Sequence, residues 1–282
     1  EPVRTGWVCC LSRCSKTKHS TMTQDARTSS WNPFRLDGRT ALVTGASRGL
    51  GRAMALALAD AGADVVCAGS RPGSADATAS QIEVLGRRAW SVHADMTDSD
   101  QVRNMITQVD DLADTVHILV NNAGTIERHP AVDTPDDSWD RVIQTNLTAP
   151  FVLCRHFGAA MIQSGGGKII NIASLLTFSG GITVPSYASS KHAIAGLTKA
   201  LCNEWASRNV QVNAIAPGYF KTDNTAALQA DPKRYADILA RIPAGAWGEP
   251  GQLAGAVVFL ASPASDYVNG HVLTVDGGWM AR

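Results

Sequence analysis

The stretch Thr40-Ala-Leu-Val-Thr-Gly45-Ala-Ser-Arg-Gly-Leu-Gly51 runs into an alanine- and leucine-rich segment from Ala53 to Ala61. A short apolar run reads as a buried strand, and the Ala/Leu segment reads as a helix. Between them, Gly45 permits a tight turn, while Gly49 and Gly51 let backbone and helix approach a pyrophosphate, which the helix N-terminus attracts. Ala46, Ser47, Arg48 and Leu50 fill the intervening positions. Turns use glycine anyway, so the Gly-x-x-x-Gly-x-Gly spacing alone says little. Strand, loop and helix in this order are what point to a dinucleotide.

Further units of the same kind come after it. Asp64 to Gly69 is a second strand, ending in Ser70-Arg71 where an adenosine ribose would lie. An acid there suits the 2′-hydroxyl of NAD, and an arginine suits the 2′-phosphate of NADP. No acid is present, so Ser70, Arg71 and Arg48 lean towards NADP; the bland alternative makes Arg71 a solvated loop cation. Helix 75–86 leads to strand 88–94, whose end, Asp95-Met96, would meet the adenine. Helix 99–113 leads to strand His117–Val120 and then to Asn121-Asn122-Ala123-Gly124, where small residues let backbone run beside a cofactor. From Asp136 a long helix carries Trp139, Val142, Ile143, Leu147, Pro150, Phe151 and Cys154 on one stripe, with Asn146 among them. A buried amide must be satisfied. Asn146 therefore either makes a structural hydrogen bond or holds a water for proton relay.

The second half carries the chemistry. Lys168 to Ala173 is a strand that delivers Ser174, and Pro185 opens a helix on which Tyr187 and Lys191 share a face one turn apart. A phenol ionises near pH ~10, and a cation within a few ångströms favours the phenolate, so Lys191 is expected to lower the Tyr187 pKa towards that of a working acid/base. Ser174 would hydrogen-bond the oxygen that gains or loses the proton. Strand Val210–Ala216 ends at Pro217-Gly218, with Phe220 and Thr222 just beyond; a helical insert spans Thr222 to Leu239, a helix spans 251–261, and His271–Val275 is the last strand. The reading is a single-domain, Rossmann-type, doubly wound parallel α/β sheet of seven strands with helices on both faces, filling residues 36–282.

Composition agrees. Of 282 residues 45% are hydrophobic, which supports one large core, and the formal net charge of zero argues against nucleic acid as partner. No apolar run approaches the ~20 residues needed to cross a bilayer. Cys67, Cys154 and Cys202 sit in apolar patterns and read as reduced core residues of a cytoplasmic protein. The first 35 residues differ: six basic residues stand against Glu1 and Asp25 without periodicity, and disorder is expected. Cys9, Cys10, Cys14 and His19 lack metal-ligand spacing, so no metal site is expected. Met22 reads as the initiator, with residues 1–21 an upstream extension.

Taken together, Thr44-Gly-x-x-x-Gly-x-Gly51, Asn121-Asn-Ala-Gly124, Asn146, Ser174, Tyr187-x-x-x-Lys191 and Pro217-Gly-x-x-x-Thr222 resemble the short-chain dehydrogenase/reductase family over residues 36–282. The resemblance implies NAD(H) or NADP(H) as cofactor and a homotetramer. It implies that Tyr187 is the acid/base, that Lys191 lowers its pKa and binds the nicotinamide ribose, and that Ser174 positions the substrate oxygen. Asn146 would hold the relay water, Asn121 to Gly124 would lie along the dinucleotide, and Pro217, Gly218, Phe220 and Thr222 would lie at its carboxamide end. Arg241-Ile-Pro-Ala-Gly-Ala-Trp247-Gly and Val-Asp-Gly-Gly-Trp279 narrow the likeness to members acting on sugar acids of uronate breakdown, which are generally linked to NAD. That tips the expectation slightly to NAD, against the lean of Arg48 and Arg71. A sugar-acid carboxylate needs a cation, and Arg128, His129, His192 and Lys221 are the candidates, each with surface solvation as its alternative. Gluconate and a 3-oxoacyl thioester are the alternative substrates, and a non-catalytic dinucleotide sensor is the alternative of another class.

Overall fold

β1 (Thr40–Thr44) is an interior strand, third from one edge, of a seven-stranded sheet in the computed structural model, which describes residues 32–282. The expected N-terminal disorder, the Cys9 to His19 cluster and Met22 lie outside the described residues. The unit Pro33–Arg282 holds the whole sheet. Its strands are all parallel, in the order β3-β2-β1-β4-β5-β6-β7.

The remaining elements alternate strand and helix. They are α1 (Gly49–Asp60), β2 (Asp64–Gly69), α2 (Asp76–Val84), β3 (Ala89–His93), α3 (Ser99–Leu112) and β4 (Ile118–Asn121). After them come α4 (Asp136–Ile143), α5 (Ala149–Gln163), β5 (Gly167–Ile172), α6 (Pro185–Trp205), β6 (Val210–Pro217), α7 (Ala226–Ala230), α8 (Pro232–Leu239), α9 (Ala254–Ala261) and β7 (Val272–Val275). Crossover helices cover both faces, which is why β1, β2, β4 and β6 are buried along their whole length and are mostly apolar, with Asp64, Gln211 and Asn213 among the buried polar exceptions. Met54 and Leu58 of α1, Ile82 of α2 and Val257 of α9 pack one face. Met105 of α3, Leu153 and Phe157 of α5 and Leu201 of α6 pack the other.

The topology places the site. β1 lies between β2 and β4, so the winding reverses direction there and a crevice opens beyond the C-terminal ends of the central strands. One departure from the sequence reading bears on it. The helix expected to run unbroken from Asp136 is divided by a wide π turn, Gln144–Thr148, which puts Asn146 inside the molecule. A π turn admits an extra residue and rotates the helix beyond it, so one stripe cannot run through both halves. Trp139 and Phe151, expected on the buried stripe, are accordingly 39% and 40% exposed.

Candidate functional site

A cleft of ≈ 850 Å³ begins at the glycine loop and continues past the ends of β4, β5 and β6. Gly45 and Gly49 hold φ of 65° and 54°, in the left-handed region open to glycine. A Cβ on Gly51 would stand 2.1 Å from the Gly45 carbonyl oxygen, so α1 can pack this closely on the loop only with glycine there. The ends of β1 and β4 are stitched by one hydroxyl: Thr44 Oγ1 accepts from the Asn122 and Ala123 amides, each at 3.0 Å. Asn122 Nδ2 returns a bond to the Thr44 carbonyl at 2.8 Å.

Most residues expected to hold a cofactor line this cleft. Ser47, Arg48, Leu50 and the three glycines form one end, with Ser70, Asp95 and Met96 at its edge. Ala123 and Gly124 come next, and Pro217, Gly218, Phe220 and Thr222 form the opposite wall. Three do not line it. Asn121 turns away and donates to Asn171 Oδ1 at 2.9 Å and Cys154 Sγ at 3.2 Å. Successive strand residues point to opposite faces, so its neighbour Asn122 takes the cleft side. Ala46 is fully buried, its amide bonded to the Ala68 carbonyl and its carbonyl to Thr78 Oγ1. Arg71 stays exposed beyond Ser70, its backbone tied to Ser74. Arg48 makes an exposed ion pair with Asp223 at 3.1 Å, joining the glycine loop to the chain after Thr222.

Ser174, Tyr187 and Lys191 meet in the middle of the cleft. Ser174 leaves the end of β5 and its hydroxyl accepts from the Leu176 amide at 3.2 Å. Pro185 starts α6, so Tyr187 lies in its first turn and Lys191 in its second. Lys191 Nζ sits 5.6 Å from the centre of the Tyr187 ring and donates to the Ile172 carbonyl at 2.6 Å. The electrostatics correct the expectation drawn from the spacing. Burial raises the Tyr187 phenol above its ordinary value, and hydrogen bonding to Ser174 and the charge of Arg128 only pull against it. Lys191 is itself pushed down to about 8 by burial, so it remains a cation at neutral pH but loses its proton far more readily than a solvated lysine.

Asn146 is engaged at both ends. Its Oδ1 accepts from the Thr125 amide at 2.8 Å, and its Nδ2 donates to the Thr125 carbonyl at 2.9 Å and to Ser190 Oγ at 3.1 Å. The amide thus braces the chain after β4 against α6. Its neighbour Thr145, which the sequence did not single out, lines the cleft with a buried hydroxyl that has no partner among the described residues. An orphaned donor beside glycines that admit no Cβ fits a polar, close-lying ligand such as a dinucleotide.

Of the four candidate cations only Arg128 lines the cleft. His129 faces Glu127 at 3.7 Å, the exposed His192 ring bonds the Ala188 carbonyl at 2.9 Å, and Lys221 is paired with Glu249. Arg234, Asp237 and Arg241 line it as well and were missed. Their spacing of three and four residues was the available signal.

The short chain dehydrogenase family model matches residues 39–233. The chain is 50% identical over 249 residues to the 2-dehydro-3-deoxy-D-gluconate 5-dehydrogenase of Bacillus subtilis (strain 168), covering 88% of this chain and 97% of that protein. A crystal structure from Beutenbergia cavernae, assigned as an NAD(P) dependent gluconate 5-dehydrogenase with NADP bound at low occupancy, is 50% identical with a TM-score of 0.86, covering 89% of this chain and 100% of that one. The gluconate 5-dehydrogenase from Burkholderia cenocepacia J2315, in complex with NADP and tartrate, is 40% identical with a TM-score of 0.85, covering 89% and 98%.

Proposed function

The chain belongs to the short chain dehydrogenase family, and on that premise we propose that it moves a hydride between NAD(P) and a secondary alcohol or ketone of a sugar acid. The substrate is 2-dehydro-3-deoxy-D-gluconate, oxidised at carbon 5. The observation that carries this reading is the convergence of Ser174, Tyr187 and Lys191 on the cleft that starts at the glycine loop, in a chain half identical to a dehydrogenase of that acid. Gluconate is the second reading, supported by the fold and identity of the Beutenbergia protein.

When bound, the nicotinamide accepts or returns the hydride. Gly45, Gly49, Gly51, Ala123, Gly124, Pro217, Gly218 and Thr222 would hold the dinucleotide. The protein's own groups handle the proton. Tyr187 takes the proton of the substrate hydroxyl as the phenolate in oxidation and returns it as the phenol in reduction; the burial that raises its pKa favours the protonated, donating form, so oxidation gains as pH rises. Ser174 donates to the same substrate oxygen and meets the charge that develops on it. Lys191, with a pKa near 8, exchanges protons close to working pH and is anchored by Ile172. Arg128 steadies the substrate oxygens nearest the reacting carbon.

NADP is accepted as well as NAD, because no acid stands beside Gly69 to repel a 2′-phosphate. The protein works as a cytoplasmic homotetramer. Free thiols at Cys67, Cys154 and Cys202 support the compartment, and the exposed rings of Trp139 and Phe151 on α4 and α5 support an interface between copies. Among the described residues no helix is long and apolar enough to cross a membrane.

Following reduced nicotinamide by its absorbance with keto-deoxygluconate, gluconate and an acetoacetyl thioester, each with both nucleotides, tests the reading. Turnover of a sugar acid that disappears in Tyr187→Phe supports it. Turnover of the thioester alone, or of nothing, refutes it.

A further inference from the structure

The insert after Thr222 builds a polar face for which the fold itself has no use. α8 is started by Asp231, whose carboxylate accepts from the Lys233 and Arg234 amides, and by Pro232 in the first turn. Its packing fixes its rotation. Tyr235 stacks on Trp247 with ring centres 5.4 Å apart, and Ile238 is buried among Leu175, Trp247 and Trp279. That leaves Arg234 and Asp237, with Arg241 just past the helix end, turned into the cleft that holds Ser174 and Tyr187. Arg241 is steadied 3.9 Å above the Trp279 ring, while the Arg234 side chain has no ion-pair partner among the described residues. Two guanidinium groups and one carboxylate, all exposed, are thus presented to the cleft from one side of the helix, where an anionic, hydroxylated ligand would meet both charges.

The cations act on different side chains of the cleft, Arg241 standing over Trp279, which packs on Tyr219. Arg128 is close enough to Tyr187 for its charge to act on the phenol, whereas the charges of Arg234 and Arg241 act on Tyr219. A six-carbon acid oxidised at carbon 5 carries its carboxylate four carbon–carbon bonds from the reacting centre. With that carbon beside Tyr187, the carboxylate would extend along the cleft and need a cation other than the one whose charge acts on the phenol.

We infer that the cleft-facing side of α8 is the carboxylate-recognition element for the substrate: Arg234 and Arg241 bind the carboxylate, and Asp237 accepts from the sugar hydroxyls. The inference rests on the proposed sugar-acid reading and adds which residues select the acid. A guanidinium–carboxylate bond is geometrically specific, so the insert excludes neutral polyols and thioesters that fit the rest of the cleft.

Steady-state kinetics of the full chain, comparing keto-deoxygluconate with its C1 carboxamide, test this. Arg234→Ala is expected to raise KM for the acid by about 10- to 100-fold, as loss of a charged hydrogen bond implies, with kcat little changed. KM for the carboxamide and for the nucleotide stays at the wild-type value, and Arg234→Lys recovers part of the loss. An unchanged KM for the acid, or equal losses on acid and carboxamide, overturns the inference. If the wild-type protein oxidises no sugar acid, the functional reading fails first; if it does and Arg234→Ala matches it, the assignment of α8 alone is wrong.

Discussion

Lys191 Nζ lies 5.6 Å from the centre of the Tyr187 ring and gives its hydrogen bond to Ile172, so the amine is fixed beside the phenol while burial drives its own pKa down to about 8. The unfolded chain holds that proton up to about 10.5. Between the two values the unfolded state binds more protons, so this group makes stability rise with pH from about 8 to about 10.5. Below that window the folded protein carries a buried ammonium at a cost. Lys191→Met removes the charge and is expected to melt higher than wild type at pH 6 to 7 in thermal denaturation, the gap closing as pH climbs through the window, while turnover is lost. A gap that stays constant with pH would show that Lys191 is not a buried, titrating amine.

Tyr187 and Ser174 separate two roles at one oxygen. Tyr187→Phe removes the proton donor and is expected to lower kcat by about 10²- to 10⁴-fold, the range of general acid–base catalysis. Ser174→Ala removes one donor to the developing oxyanion and is expected to cost about 10²- to 10³-fold. Nucleotide affinity, followed by fluorescence titration, should hold in both. A Tyr187→Phe protein that keeps wild-type kcat would leave the acid/base role without a holder.

The parts of this site that sequence made legible are those set by local spacing. Gly45, Gly49 and Gly51, and the turn separating Tyr187 from Lys191, are geometry within one loop or one helix, and they appear where expected. What escaped depends on partners far away. β4 runs to Asn121, one residue past the expected end at Val120, so Asn121 still follows the strand's alternation and points away while Asn122 takes the cleft side. The pKa of Tyr187 depends on how deeply the fold buries it, which a four-residue spacing does not encode. The π turn at Gln144–Thr148 breaks the helical period that placed Trp139 and Phe151 inside. Arg234 and Arg241 return to the cleft only because Tyr235 and Ile238 find Trp247, an aromatic cluster assembled by tertiary packing.

Thr44 offers a structural test of the same crevice. Its buried hydroxyl accepts two backbone amides, Asn122 and Ala123, and thereby holds the end of β4 beside the glycine loop. Thr44→Val keeps the shape and strands both donors. A stability loss of about 1–3 kcal/mol is expected by chemical denaturation, the cost of buried unsatisfied donors. Because Ala123 and Gly124 line the cleft, nucleotide KM should rise in parallel. Lost stability with unchanged nucleotide KM would confine Thr44 to a structural role.

The end of β2 decides which nucleotide is used. Gly69 is followed by Ser70 at the cleft edge and by the exposed Arg71, and no carboxylate stands at either place. Arg48, the other cation near this end, is held by Asp223, but both partners are largely exposed and such a pair is worth little, so a 2′-phosphate can displace it. Both nucleotides should therefore support turnover in the wild-type protein. Ser70→Asp installs an acceptor for the 2′-hydroxyl of NAD and a like charge against the phosphate of NADP. It is expected to lower kcat/KM for NADP by about 10-fold or more, the equivalent of about 1.4 kcal/mol, and to leave NAD unharmed or improved. Equal losses with the two nucleotides would place the ribose somewhere other than the end of β2.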